Sequence, residues 1–382
     1  MPTVVLVDAD GQGRLGDDAL LAAFVSALPG WKVVGMSLDP AAARWGGRPA
    51  WLRLWGMLRE AIRADAVVFG GTVLTMFCSR SERRASSALR ASSALVVAAS
   101  LLKRKVVLLG VGAGCIDTKT EGRIARRLVR RSDLLVVHDE ESAHELVGVG
   151  VPGPVRVGAD PVWALLAPPE ASGARRAERV LVIPPRRSAT GRGVGGGEET
   201  AGALPDAVAG LVGRGMRVAL QPWEHPDDGA PRSRPSGPPG GDPSGAWLME
   251  RACGEVERLP APASLAEAVS SMRDAGVVLT YRFHGLVAAG AAGVPTVAVA
   301  HEAKLAGLSR RLGQRAVAPE VGPEELCEAV LGAVGSSGPD PGVVKQEIER
   351  AEEGFQLLRV LLASGDTEES HELGALPLSE WS

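Results

Sequence analysis

The chain is predicted to be an α/β protein made of two doubly wound domains in succession. Three observations carry this reading. Its 382 residues exceed the ~250 to 300 at which a single hydrophobic core usually stops growing. Short, continuously apolar runs alternate with stretches of helical spacing, and a segment rich in proline, glycine and charge interrupts that alternation near the middle. Strands of a buried parallel sheet are covered on both faces, so they read as unbroken apolar runs.

In the first half, apolar runs bounded by turn residues recur at 3–8, 33–38, 65–69, 105–110, 133–137 and 155–157. Helical spacing fills 17–28, 51–63, 86–102, 121–131 and 140–147 between them. The segment A-P-P-E-A-S-G-A-R-R-A-E at 167–178 then breaks the series. A second alternation begins at R-V-L-V-I-P-P, with strands near 180–184, 216–221, 276–280 and 296–300. Helices are expected near 200–213, 264–273, 283–292 and 303–312, with a shorter β/α pair at 315–334. This gives a first domain over 1–170, a second over 178–341, a C-terminal helix over 342–364 and an acidic tail over 365–382. By analogy with two-domain sugar-transferring folds, that helix is expected to cross back onto the first domain. Two stretches, 188–199 and 224–245, hold too much Gly, Pro and Ser to pack a core and read as flexible insertions. Each leaves the end of a second-domain strand, the edge where open parallel sheets bind ligands.

Composition narrows the function classes. A formal charge of −3 gives no global basic excess of the kind nucleic-acid binding needs. Cys78, Cys115, Cys253 and Cys327 are far apart and form no C-x-x-C pair, and the six histidines show no zinc-ligand spacing, so neither a metal site nor a disulfide framework is expected. No run reaches the ~18 apolar residues of a membrane span, and M-P-T-V-V-L-V-D-A-D lacks the basic start of a signal peptide. The expectation is a soluble, cytoplasmic protein.

One stretch concentrates chemistry. In T-Y-R-F-H-G-L-V-A-A-G-A-A-G-V-P-T-V-A-V-A, residues 280–300, Arg282 and His284 fall where an apolar strand gives way to an apolar helix. A helix start offers backbone N–H groups and the positive end of the helix dipole, which favour phosphate or carboxylate. Arg282 adds a planar fork able to grip either anion, and His284 a group that exchanges protons near neutral pH. The plainer alternative is that His284 caps the helix and Arg282 pairs with a local carboxylate. Residues 275–301 contain no such acid, the nearest being Asp274 and Glu302.

This run, continued through H-E-A-K, resembles the signature segment of the polysaccharide pyruvyltransferase family: Arg282, Phe283 and His284, an Ala/Gly-rich helix, the turn Gly293-Val294-Pro295, and Lys304. Other segments follow in the family's order: G-D-D-A-L-L at 16–21, A-D-A-V-V-F-G-G at 64–71, V-V-L-L-G-V-G-A-G at 106–114, H-D-E-E-S at 138–142 and G-A-D-P-V at 158–162. The resemblance spans about 15–334. It implies two Rossmann-like domains facing a cleft, similar to the GT-B glycosyltransferase architecture. The implied reaction moves the enolpyruvyl group of phosphoenolpyruvate onto two sugar hydroxyls, leaving a pyruvate ketal and releasing phosphate. Phosphoenolpyruvate is the donor substrate and no cofactor is implied. The partner is a glycan or activated-sugar acceptor, including peripheral association with membrane-linked glycan precursors.

Residue by residue, the resemblance carries donor contacts onto Arg282, His284 and the backbone around Phe283. It places a further arginine after the first strand of the second domain, where V-L-V-I-P-P-R-R offers Arg186 or Arg187; Arg186 is the better match. Lys304 either reaches the phosphate or is a solvated first-turn lysine. Asp17 and Asp18 start the first helix, where carboxylates are favoured in any case, with an acceptor-side role the alternative. Gly70 and Gly71 read as ending a strand and admitting a ligand close to the backbone, and Asp160 reads as fixing a turn. Two departures fall in the acceptor half: Thr72 replaces a third glycine, and His138 the usual arginine. A nucleotide-sugar-dependent glycosyltransferase and a non-catalytic glycan-pathway component are the other functions this sequence admits.

Overall fold

The computed structural model describes residues 1–7, 15–36, 59–60, 62–74, 96–114, 116, 119–169, 176–185, 197–223 and 256–364. The described residues form two compact units. Those within 1–12, 17–165 and 347–382 fall in the first, and those within 13–16 and 166–346 in the second.

The first unit is built on a six-stranded sheet in which every neighbouring pair is parallel. Its strands are β1 (Thr3–Val7), β2 (Lys32–Met36), β3 (Ala66–Leu74), β4 (Lys105–Ala113), β5 (Leu134–Val137) and β6 (Arg156–Val157), in the order β2-β1-β3-β4-β5-β6. Helices α1 (Leu15–Ala27), α2 (Lys119–Val129) and α3 (Glu140–Gly148) connect them. Val4 to Val7 all lose their solvent exposure, as do Val67, Val68, Val106 and Val107. Both faces are therefore covered, which is what continuous apolar runs require.

Two strands run further than their sequence suggests. β3 passes through Gly70 and Gly71 to Leu74, and β4 through Gly110 to Ala113, each with register shifts near the glycines. Gly71 adopts φ +66, a left-handed backbone that bends the strand without ending it. A Cβ at Gly70 would lie 3.2 Å from Leu20 Cδ2, so these glycines admit a side chain of α1.

The H-D-E-E-S stretch ties β4 to α3. Asp139 is the N-cap of α3, its Oδ1 accepting the Ser142 N–H at 2.7 Å. Ser142 Oγ in turn accepts the Ala113 N–H at 3.0 Å, and Glu145 Oε1 the Ile116 N–H at 3.0 Å. His138 Nδ1 lies 2.7 Å from Asp139 Oδ2, with both side chains buried. Burial alone would raise the Asp139 pKa; the His138 and Ser142 contacts outweigh it and hold the carboxyl far below its usual range. Because the folded value is depressed, the carboxylate's stabilisation is complete above the unfolded value of ~4 and is lost as pH falls toward the folded one. Asp139→Asn is expected to cost about 1–3 kcal/mol at pH 7. In urea titrations the gap between wild type and variant should narrow below about pH 4; a gap independent of pH would refute the charge assignment.

Asp160 fixes the turn after β6, its Oδ1 accepting the Val162 N–H at 2.9 Å at the head of a 3₁₀ turn, Pro161–Leu165.

The second unit repeats the architecture with β7 (Arg176–Ile183), β8 (Arg217–Leu220), β9 (Val256–Arg258), β10 (Ala275–Thr280), β11 (Thr296–Val299) and β12 (Arg315–Val317). They are ordered β12-β11-β10-β7-β8-β9, again all parallel. Helices α4 (Gly197–Gly213), α5 (Leu265–Met272), α6 (Phe283–Ala292), α7 (Ala303–Arg311) and α8 (Pro323–Ala333) flank them. α4 begins at Gly197, inside the stretch 188–199 expected to be a flexible insertion. β9 is a three-residue edge strand, V-E-R, with too little apolar content to be read from the sequence. The insertion 224–245 and the acidic tail lie outside the described residues.

The chain lays β7, β8 and β9 outward in one direction and then returns to place β10 on the other side of β7. Such a reversal opens a crevice at the carboxyl ends of the two central strands, the general ligand position in open α/β sheets.

The last helix, α9 (Pro341–Ala363), groups with the first unit from Glu347 onward. Phe355 meets Phe24 of α1 edge-on, with centroids 5.0 Å apart, and Arg359 Nη1 donates to the Ala27 carbonyl at 3.1 Å. Among the described residues no helix is long and apolar enough to cross a membrane.

Candidate active site

In the second unit the crevice position falls between β7 and β10, and the carboxyl ends of these strands are fastened together. The Tyr281 N–H donates to the Ile183 carbonyl at 3.2 Å, and Arg282 Nε donates to the Pro184 carbonyl at 2.9 Å. That second bond fixes the half-buried guanidinium against the end of β7. Tyr281, between the two polar positions, turns into the core, where burial pushes its phenol pKa upward and keeps it neutral.

Thr280 shapes the turn that presents Arg282. Its Oγ1 accepts the Arg282 N–H at 3.0 Å and donates to the Arg282 carbonyl at 3.1 Å. A Cβ at Gly285 would collide with that hydroxyl and lie 3.0 Å from Ile183 Cδ1, so only glycine fits the first turn of α6 here. The rest of α6 is almost wholly buried, which its Ala/Gly-rich sequence permits, and Gly293 closes it in the left-handed conformation.

The N-cap position of α6 is Arg282, in extended conformation, and its side chain makes no capping bond. His284 is in the first turn instead, half-buried, with its ring edge-on to Phe283 at 5.4 Å between centroids.

The next junction, from β11 to α7, adds three charged or titratable groups to the cluster. Lys304 Nζ lies 5.3 Å from the centroid of the Phe283 ring and 2.9 Å from Glu302 Oε2, and the side chain is 16% exposed. It is thus a fixed ammonium beside Phe283 and not a solvated lysine. The other Glu302 oxygen is 3.7 Å from His301 Nε2, while His301 Nδ1 contacts the Val299 carbonyl at 3.2 Å. Glu302 and His301 were not singled out in the sequence; the available signal was their place at the carboxyl end of an apolar strand, like that of Arg282.

The expected site residues therefore fall into groups. Arg282, Phe283, His284 and Lys304 gather on two adjacent strand-to-helix junctions of the second unit. Asp17, Gly70 and Gly71 belong to the first unit, Asp17 half-buried in the opening turn of α1. Arg186 lies outside the described residues. The second unit offers an ammonium and an imidazole against one aromatic ring, and on the residue before that ring a guanidinium fixed to the end of β7, chemistry suited to an anion that exchanges a proton.

Two Rossmann-like domains of this kind place the chain in the GT-B-like class. Within that class it belongs to the polysaccharide pyruvyl transferase family, whose model matches residues 15–302. The match takes in Arg282 through His284 and stops short of Lys304. No curated protein matches the sequence. Among solved structures, the UDP-GlcNAc 2-epimerase of Neisseria meningitidis bound to UDP-GlcNAc is similar with a TM-score of 0.58 and 11% identity, covering 95% of this chain and 100% of that one. The UDP-GlcNAc 2-epimerase of Methanocaldococcus jannaschii gives 0.55 and 12%, covering 95% and 99%. Anabaena Alr3699/HepE in complex with UDP-glucose gives 0.51 and 11%, covering all of both chains. At these identities the likeness is one of fold.

Proposed function

We propose that the protein transfers the enolpyruvyl group of phosphoenolpyruvate to two hydroxyls of a glycan or activated sugar, forming a cyclic pyruvate ketal and releasing phosphate. The observation that carries this is the guanidinium of Arg282, fastened to the Pro184 carbonyl beside His284 at the β7/β10 crevice. Family membership supports the same reading.

The reaction balances on two protons. Each acceptor hydroxyl forms a bond to C2 and gives up its proton; one proton converts the C3 methylene to a methyl group and the other leaves with phosphate. Arg282 and the start of α6 bind the donor's negative charge, with Arg186 as a further donor contact and Lys304 on the phosphate side. His284 supplies the proton to C3. Because Glu302 holds the ammonium of Lys304, that charge is positioned before the donor arrives. Asp17, Gly70 and Gly71 are assigned to the acceptor side, and the acceptors include membrane-linked glycan precursors. The expected location is the cytoplasm, where phosphoenolpyruvate is available.

A second reading keeps the fold and takes a nucleotide sugar as donor, since nucleotide sugars are the ligands named for all three of these similar structures. Thermal melts separate the two. Phosphoenolpyruvate at 100 times its Kd should stabilise the protein by about 2.7 kcal/mol; stabilisation by UDP-sugars alone would favour the second reading. His284→Gln is expected to keep the phosphoenolpyruvate-induced shift while lowering phosphate release by about 10² to 10⁴-fold, the usual worth of a general acid. Unchanged release would remove His284 from the chemistry.

A further inference from the structure

We infer that the amino edge of the first unit's sheet is a docking surface for an anionic lipid bilayer. The helical residues 96–101 run out at this edge into the turn that starts β4, leaving Leu101 80% and Leu102 44% exposed. Ile62, before β3, is 44% exposed, and Arg104 Nη2 donates to its carbonyl at 3.3 Å, which ties the turn after Leu102 to the chain at Ile62. Arg63, Lys103 and Arg131 are exposed on the same row of strand starts. Among the nearby acids, Asp65 Oδ2 accepts the Thr3 N–H and Asp133 Oδ2 the Val106 N–H, each at 2.7 Å; Asp65 stays exposed, while Asp133 and Glu60 are half-buried. What faces outward is a small apolar tip with three exposed cations and one exposed carboxylate around it.

Lys103 adds an independent observation. The Lys103 N–H bonds the Ser100 carbonyl and the Arg104 N–H the Ala99 carbonyl, a helix-ending turn whose left-handed position normally holds glycine. Here a lysine occupies it at φ 54, a conformation that L side chains adopt at a cost. A cation stands where the backbone favours glycine.

Charge complementarity selects the occupant. A second copy docking the same patch on itself would bring like charges together. An anionic bilayer accepts inserted leucines and attracts each surrounding cation. The surface lies at the end of the strands opposite their carboxyl edge, so a membrane bound there leaves the unit's own ligand edge open.

Cosedimentation of the full chain with phosphatidylcholine vesicles, with and without phosphatidylglycerol, tests this without reference to the reaction catalysed. Binding is expected to be at least about tenfold stronger with phosphatidylglycerol and to weaken in salt. Combined Leu101→Ser and Leu102→Ser should remove it without lowering Tm. Lys103→Gly should raise Tm while weakening binding about fivefold, a combination that damage to the fold cannot produce. Equal binding to both vesicle types, binding untouched by these variants, or a concentration-dependent dimer abolished by the leucine changes would each overturn the assignment.

Discussion

Replacing Arg282 with lysine is expected to lower kcat/KM for phosphoenolpyruvate by about 10² to 10³-fold, the loss typical when a preorganised charge-stabilising donor is removed. Lysine keeps the charge, so the size of the loss measures geometry. The Nε–H that now reaches the Pro184 carbonyl has no counterpart on an ammonium, and a point charge on a flexible stem cannot reproduce a planar fork locked to the end of β7. Arg282→Ala should fall at least as far. Steady-state phosphate release with an acceptor panel is the measurement. Activity of Arg282→Lys within threefold of wild type would show that charge alone suffices and would discard the locked-fork account.

Gly285→Ala gives the second large effect, and here two opposing magnitudes decide the sign. Alanine in a helix is worth about 1 kcal/mol over glycine, so an unobstructed site would be stabilised. At this position the methyl group would occupy the space of the Thr280 hydroxyl and press on Ile183. Overpacking of a buried site costs about 1–3 kcal/mol, and displacing Thr280 also breaks its two bonds to the Arg282 backbone. The expected net loss is about 2 kcal/mol, an apparent Tm lower by roughly 4–8 °C for a unit of this size, together with a fall in kcat/KM. Thr280→Val should reproduce the kinetic defect, because it removes the same two bonds and leaves the volume. A stabilised Gly285→Ala variant would mean that the turn tolerates Thr280 elsewhere.

The sheet strands were legible because a strand covered on both faces has nowhere to place a polar residue; V-V-L-V at 4–7 and V-L-V-I at 180–183 admit no other reading. Glycine misled at two places. In A-V-V-F-G-G-T-V-L and K-V-V-L-L-G-V-G-A it looks like punctuation, whereas the strands bend through it with shifted register. The edge strand β9 was invisible because its backbone partner β8, not its side chains, makes it a strand. At the site, Arg282 and His284 were readable from their place between an apolar strand and an apolar helix. The contact of Lys304 with Phe283 was not, since it depends on how α6 and α7 lie together, which no local spacing encodes.

The return of α9 to the first unit has a consequence for how the protein is made. Ala27 and Arg359 are joined across 332 residues of chain, and Phe24 waits for Phe355 to complete its aromatic contact. Domains usually finish in the order in which the ribosome delivers them. In this chain the first unit begins earliest yet holds an uncovered helix face until α9 emerges, while the second unit is complete as soon as residue 346 has cleared the exit tunnel. The first unit is therefore completed by a docking event that follows the making of the second, and a ribosome that stops short of Phe355 releases a chain whose later-made unit is folded and whose earlier-made unit is still open.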